Sequence, residues 1–319
     1  MMIKQMFYFI TFASTLLFTS CQKDEDIVVD PGESSGKLVL EITDAPIDQA
    51  NVAAAFVTIA DLKLDGQSVT GFQKISINLL DLQNGVTQAL GNITLPEKSY
   101  EKISLVLDHE SDAQGNSPGS YIQLIDSSKQ ALVSTMNEVE ASYDFDIAQD
   151  STTTLVLDFD LRKSIQLTNS TDSTKQFAWT TANNFNDALR IISKDNASTI
   201  TGYCDKGSTT ADQIVAFLYE KGSFDSNAEI DTSNQEVMFS HAITSTLVEE
   251  NGDYGLHFIN PGQYEIHFAA FTADSLSHEL NFNGLLEINT SSAIDLTDIT
   301  LEAGAETTID LSVTGLLNL

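Results

Sequence analysis

Leu38-Val39-Leu40-Glu41-Ile42 and Ala54-Ala55-Phe56-Val57-Thr58-Ile59-Ala60-Asp61-Leu62-Lys63-Leu64 set the fold class. Side chains here alternate with the two-residue period of a strand, and neither run carries the three-and-four spacing of an amphipathic helix. The same period recurs at residues 72–78, 102–107, 121–125, 143–147 and 153–161, with Asp, Gly, Asn and Pro clusters between the runs. Short strands punctuated in this way predict an all-β chain of antiparallel β-sandwich domains. Residues 79–85, Leu-Leu-Asp-Leu-Gln-Asn-Gly, read instead as a short helical turn. A second set of strands begins near Ser198, with 199–204 and the mostly apolar, central 214–219. In residues 254–268 the side chains of Leu256, Phe258, Tyr264, Ile266 and Phe268 share one face across Pro261-Gly262, which predicts a hairpin. Two domains are expected, 37–195 and 198–319.

The N-terminus carries an address. Lys4 precedes an uncharged apolar run, residues 7–18, that is too short to span a bilayer and reads as the core of a signal peptide. The closing Leu17-Phe18-Thr19-Ser20-Cys21 resembles the lipobox of bacterial lipoproteins, although Phe18 stands where Leu is more usual. The resemblance implies cleavage after residue 20 and diacylglycerol on Cys21, with membrane attachment through that lipid. Gln22-Lys23-Asp24-Glu25-Asp26 is similar to the acidic export signal of Bacteroidetes surface lipoproteins, which implies the outer face of the outer membrane. Residues 21–36 lack periodicity and are rich in turn formers, so a flexible tether is expected, spanning roughly 20 Å on average.

Acidic residues number 46 against 15 basic ones, for a formal charge of -31. Such a surface repels phosphate backbones, so nucleic acid is excluded as a partner, and divalent cations or cationic partners are favoured. The only cysteines are Cys21 and Cys204, so a lipidated Cys21 leaves no disulfide framework, and Cys204 reads as a small core residue.

Glu41-Ile42-Thr43-Asp44-Ala45-Pro46-Ile47-Asp48, Leu79 to Leu82, Leu157-Asp158-Phe159-Asp160-Leu161-Arg162-Lys163-Ser164-Ile165 and Leu189-Arg190-Ile191-Ile192 together resemble a bacterial lipoprotein domain catalogued as domain of unknown function 4382. The likeness spans about residues 36–195 and implies a fold and an address, because that family has no assigned activity. Residues 198–315, through Gly255-Leu256 and Pro261-Gly262-Gln263-Tyr264, resemble the transthyretin-like sandwiches appended to surface proteins and carboxypeptidases. That likeness implies a spacer or stabilising domain.

Three clusters are candidates for chemistry. If 143–147 and 153–161 pair, Asp144 faces Asp158 with Asp146 and Asp160 beside them, which makes either a Ca2+ site or a solvated acidic face. Asp44 adds a loop oxygen or caps the turn before Pro46. On the predicted hairpin, His257, His267 and Glu265 share the outward face as a zinc site or an exposed polar face. Phe177, Trp179 and Phe185 lie in a polar stretch that either stacks a glycan ring or is pinned over the sandwich. No phosphate-binding glycine loop occurs, and no enzyme is expected. The expected function is that of a non-catalytic surface module for binding or adhesion, with a glycan or protein ligand. The alternative is a pilin-like structural subunit; Arg162 and Arg190, the only arginines, lie far from where such pilins are processed. A hydrolase ranks last.

Overall fold

A computed structural model describes residues 26–45, 51–168, 170–172, 174–230, 237–274, 280–291 and 294–317. The signal peptide, Cys21 and the acidic residues through Glu25 lie outside the described residues, as does His278. The chain is all-β with sandwich-like units, and no described helix is long and apolar enough to cross a membrane.

The first unit packs a four-stranded sheet on a nine-stranded one. The four-stranded sheet runs Leu189–Ser193, Thr152–Asp160, Ser35–Ala45, Gln88–Pro96, and its two central strands are parallel. Val52–Leu64 is the spine of the larger sheet, pairing with Gln67–Ser68, Ile75–Asn78, Lys98–Leu107 and Tyr121–Leu124. Leu38, Leu40 and Ile42 from one sheet and Val57, Ile59 and Leu62 from the other are wholly buried between them. Leu79–Leu82 forms a 3-10 turn, as its sequence suggests.

The second unit is a nine-stranded sheet curled around Ile200, Leu256, Ile266, Phe268 and Ile309. Its mostly apolar strand Gln213–Glu220 lies between Thr244–Leu247 and Gly262–Ala273. A second apolar layer, with Phe217, Tyr219, Phe239 and Phe271, covers the other face of this strand. That double cover explains why six consecutive residues, Ile214 to Tyr219, are buried.

Three pairings depart from those expected. Glu138–Ile147 pairs with Lys98–Leu107, whereas Thr152–Asp160 pairs with Ser35–Ala45 and Leu189–Ser193. Residues 148–151 therefore cross between sheets, and Asp144 never faces Asp158. Similarly, Asp253–Ile259 pairs with Ser198–Asp205 while Gly262–Ala273 pairs with Gln213–Glu220, so residues 254–268 make an arch between strands of different neighbours and not a hairpin. Finally, part of the expected tether is docked: Ile27 is buried, bridges Val69, and exchanges hydrogen bonds with Ser68 and Thr70.

Candidate functional site

The expected sites come apart on the structure, and the reason is strand pairing. Asp144 and Asp146 are exposed on Glu138–Ile147, where Asp146 accepts from the Ser99 hydroxyl. Asp158 and Asp160 are buried on the other sheet, and both have cationic partners. Arg190 Nη2 lies 2.5 Å from Asp158 Oδ2; Arg162 and Lys163 lie 3.5 Å and 3.7 Å from Asp160 Oδ2. Carboxylates divided in this way and matched by basic side chains do not fit a calcium ion. No group of three or more metal-ligating side chains forms among the described residues.

Phe177, Trp179 and Phe185 are core residues, 3%, 4% and 0% exposed, so no sugar can stack on them. Trp179 and Phe185 meet edge to face at 4.8 Å, and both pack on Phe159. His267 stacks on Phe224 at 3.8 Å and lies 3.4 Å from Glu265, while His257 stands on a strand that does not pair with it. The zinc arrangement is therefore not formed. Cys204 is wholly buried, and burial pushes its thiol up to about 11, in keeping with an inert core residue.

The structure instead builds a site where the two units meet. The row Leu38, Leu40, Ile42 continues at period two to Asp44, so a carboxyl ends a line of core side chains. Asp44 is 7% exposed; its Oδ1 accepts from the Leu161 N–H at 3.4 Å, and its Oδ2 has no hydrogen bond. Burial, then the charges of Asp158 and Asp160, hold this carboxyl well above the ordinary carboxylate range, against the pull of the Leu161 N–H and the Gln83 side chain. The turn before Pro46 that Asp44 was expected to cap lies outside the described residues.

Asp44, Asp158 and the Asn84-Gly85 turn form one wall of a cleft of about 370 Å3. The other wall comes from the second unit and includes Gln213, Thr244 to Glu250, Gly255 and His257. Ser245 Oγ and Gln213 Oε1 are buried without partners, so three unpaired polar atoms belong to the lining. Groups of this kind are normally satisfied, and left bare they cost about 1–3 kcal/mol each.

Local backbone devices shape the cleft. Asn84 and Gly85 both have positive φ, 56° and 78°, and the Val86 N–H closes the turn on Gln83 O at 3.2 Å. Glycine is required there, because a Cβ on Gly85 would come within 2.7 Å of His257 Nδ1. Gly255 meets the same ring from the other side, where a Cβ would lie 2.5 Å from Nε2. The pairing of Ser198 and Ile200 with Ile259 and Leu256 leaves one extra residue in the second strand, a bulge at His257-Phe258 with Phe258 at φ 53°. The bulge breaks the apolar alternation at Phe258. His257 is set between the two glycines, and burial lowers its basicity.

Basic side chains of the first unit clasp the second beside the cleft. Arg162 donates to Met238 O and Phe239 O at 2.5 and 3.1 Å, Lys163 to Ala242 O at 2.5 Å, and Arg190 to Phe258 O at 2.7 Å. Phe239 and Phe258, two of the acceptors, are phenylalanines at positive φ, a conformation costing a bulky residue about 1–2 kcal/mol. Asn84 adds a bond to Glu249 at 2.8 Å.

No curated protein matches the chain. Among solved structures it is similar to the Bacillus anthracis TIE protein (9% identity, 88% of this chain and 34% of that one, TM-score 0.19). A leucine-rich repeat protein from Bacteroides thetaiotaomicron (8%, 88% and 26%, 0.20) and the minor pilin of Streptococcus agalactiae (13%, 88% and 97%, 0.20) overlap to the same degree. The chain thus spans about a third of the first and a quarter of the second. Residues 35–175, which supply Asp44, the Asn84-Gly85 turn, Asp158 and Arg162, match the family described as Domain of unknown function (DUF4382).

Proposed function

We propose that this chain is a surface-exposed, outer-membrane lipoprotein, anchored through lipid on Cys21, that acts as a non-catalytic binding or adhesion module holding its ligand in the cleft between its two units. The observation that carries the binding role is the cleft itself: a cavity of about 370 Å3 falls in the size range of small-ligand sites, and three buried polar atoms in its lining lack partners. Its chemistry favours holding over turning over. Ser245 Oγ has no histidine or carboxylate bonded to it, as an activated nucleophile requires. Burial and neighbouring charge raise the pKa of Asp44, which disfavours the carboxylate a general base needs, and Asp158 is tied to Arg190.

Anchoring and binding are tested separately. Cells fed an alkyne-tagged fatty acid should label the wild-type protein and leave Cys21→Ser unlabelled, and protease added to intact cells should digest the labelled protein. Equal labelling of both forms would refute the anchor. Replacing Ser245 with Leu should abolish ligand retention without changing the fold seen by circular dichroism; retained binding would refute the cleft.

A further inference from the structure

We propose that the cleft receives a primary ammonium group, seated against Asp44 with its positive charge facing the carboxylates of the walls. The inference rests on the cleft being the ligand site and names the chemistry that site would take. Two independent features point to it. The first is charge: Asp44, Asp158, Asp212, Glu249 and Glu250 line the cleft against a single lysine, Lys206. Of these, Asp158 has Arg190 as counter-ion, whereas among the described residues Asp212 and Glu249 accept from neutral donors, the Ala273 N–H and the Asn84 amide. An anion entering this space meets uncompensated like charge, while a cation meets attraction. The second feature is the bare oxygen. Asp44 Oδ2 is buried and unpaired, and Ser245 Oγ, on a residue 4% exposed, is a second unpaired oxygen in the same lining. An ammonium has three donors and no acceptor, which suits a site that offers carboxyl and hydroxyl oxygens without donors to them.

The groups around Asp44 explain why its carboxyl holds a proton more tightly than usual and what binding would do. Asp158 and Asp160 press on it from the neighbouring strand, each balanced by Arg190 or by Arg162 and Lys163, and neutral His257 and Lys206 stand across the cleft. A cation at Oδ2 takes the place of the carboxyl proton. The ligand keeps its three N–H bonds, the Asp44 O–H bond breaks, and one proton passes to solvent for each ammonium bound. Affinity therefore rises with pH across the range in which free Asp44 holds its proton.

A lysine side chain on a partner protein and a free polyamine share this chemistry, and two probes separate them. A capped Ala-Lys-Ala peptide and putrescine would each be titrated calorimetrically into the full chain in two buffers of different ionisation enthalpy. The capped norleucine peptide, equal in shape and uncharged, is the control. Saturable binding at millimolar concentration, with proton release and tighter binding at higher pH, is expected for at least one amine and not for norleucine; the tighter of the two amines identifies the source. Asp44→Asn, isosteric with the protonated carboxyl, should weaken the amine by about thirty-fold or more. Ser245→Ala removes one hydroxyl and should weaken it several-fold, serving if the Asn variant fails to fold. Norleucine binding as well as lysine, unchanged affinity in both variants, or no binding of either amine would overturn the proposal. Methyl glycosides distinguish the two levels of failure. If a glycoside binds and Ser245→Leu abolishes it, the cleft remains the site and the ammonium is wrong; if neither class binds, both readings fall.

Discussion

Asp44 shows how much one position can owe to its row. The alternation through Leu38, Leu40 and Ile42 was readable in the sequence, and carrying it one step further puts a carboxyl at a core position. What was not readable was its company, because Asp158 and Asp160 arrive from a strand more than a hundred residues away. The consequence is a pH dependence of definite sign. The folded protein holds the Asp44 proton more tightly than the unfolded chain does, so this residue costs stability as pH rises from the ordinary carboxylate range through its raised pKa. Urea unfolding should show Asp44→Asn gaining on the wild type as pH increases through that window; a constant difference would contradict the assignment. The aromatic trio teaches the opposite lesson. Its setting among Ser, Thr and Asn made a surface platform plausible, yet Trp179 is 4% exposed and packed on Phe159 and Phe185. Trp179→Ala should therefore cost about 3–5 kcal/mol in the same assay.

At the level of strands and turns, alternation fixes which face a side chain takes and says little about which strand lies alongside. That is why most strand positions were legible while the pairing of 143–147 with 153–161 was not. A link as short as residues 148–151 serves either a hairpin or a crossing between sheets. The Asp158-Phe159-Asp160 stretch did carry a clue in the Arg162-Lys163 that follows, counter-ions one turn away that a calcium site would not need. The arch through Pro261 was misread for a similar reason, since nothing local announces the bulge at His257-Phe258. Residues 79–85 were legible as a short helical turn, and the His257 ring that packs on Gly85 was not. Gly85→Ala should lower stability by about 1 kcal/mol for the positive φ alone, with more for the contact on His257. The thermal midpoint should fall and the His257 ring resonances should move; an unmoved His257 would mean the turn does not pack on that ring.

Over the whole molecule, the two units are joined by charge-assisted bonds at a small number of points. Arg162 is 2% exposed, pairs with Asp160, and donates to Met238 and Phe239 of the second unit. Arg162→Ala removes one of the two cations that face buried Asp160, together with both bonds to the second unit, and should cost about 3–5 kcal/mol. With the main clasp gone, calorimetry should resolve two unfolding transitions where the wild type shows one; a single undivided transition would show that the units are coupled some other way. An acidic balance and an all-β class followed from the sequence alone. The cleft did not, because its walls come from both units and exist only once these clasps set them face to face. His257 stands between those walls and is the natural reporter. The most direct measurement is a titration of the full chain with the lysine peptide or putrescine, followed through the imidazole carbon–proton resonances. A saturable shift of His257, with His109 and His241 unmoved, is expected, whereas binding that leaves His257 in place would put the ligand elsewhere on the molecule.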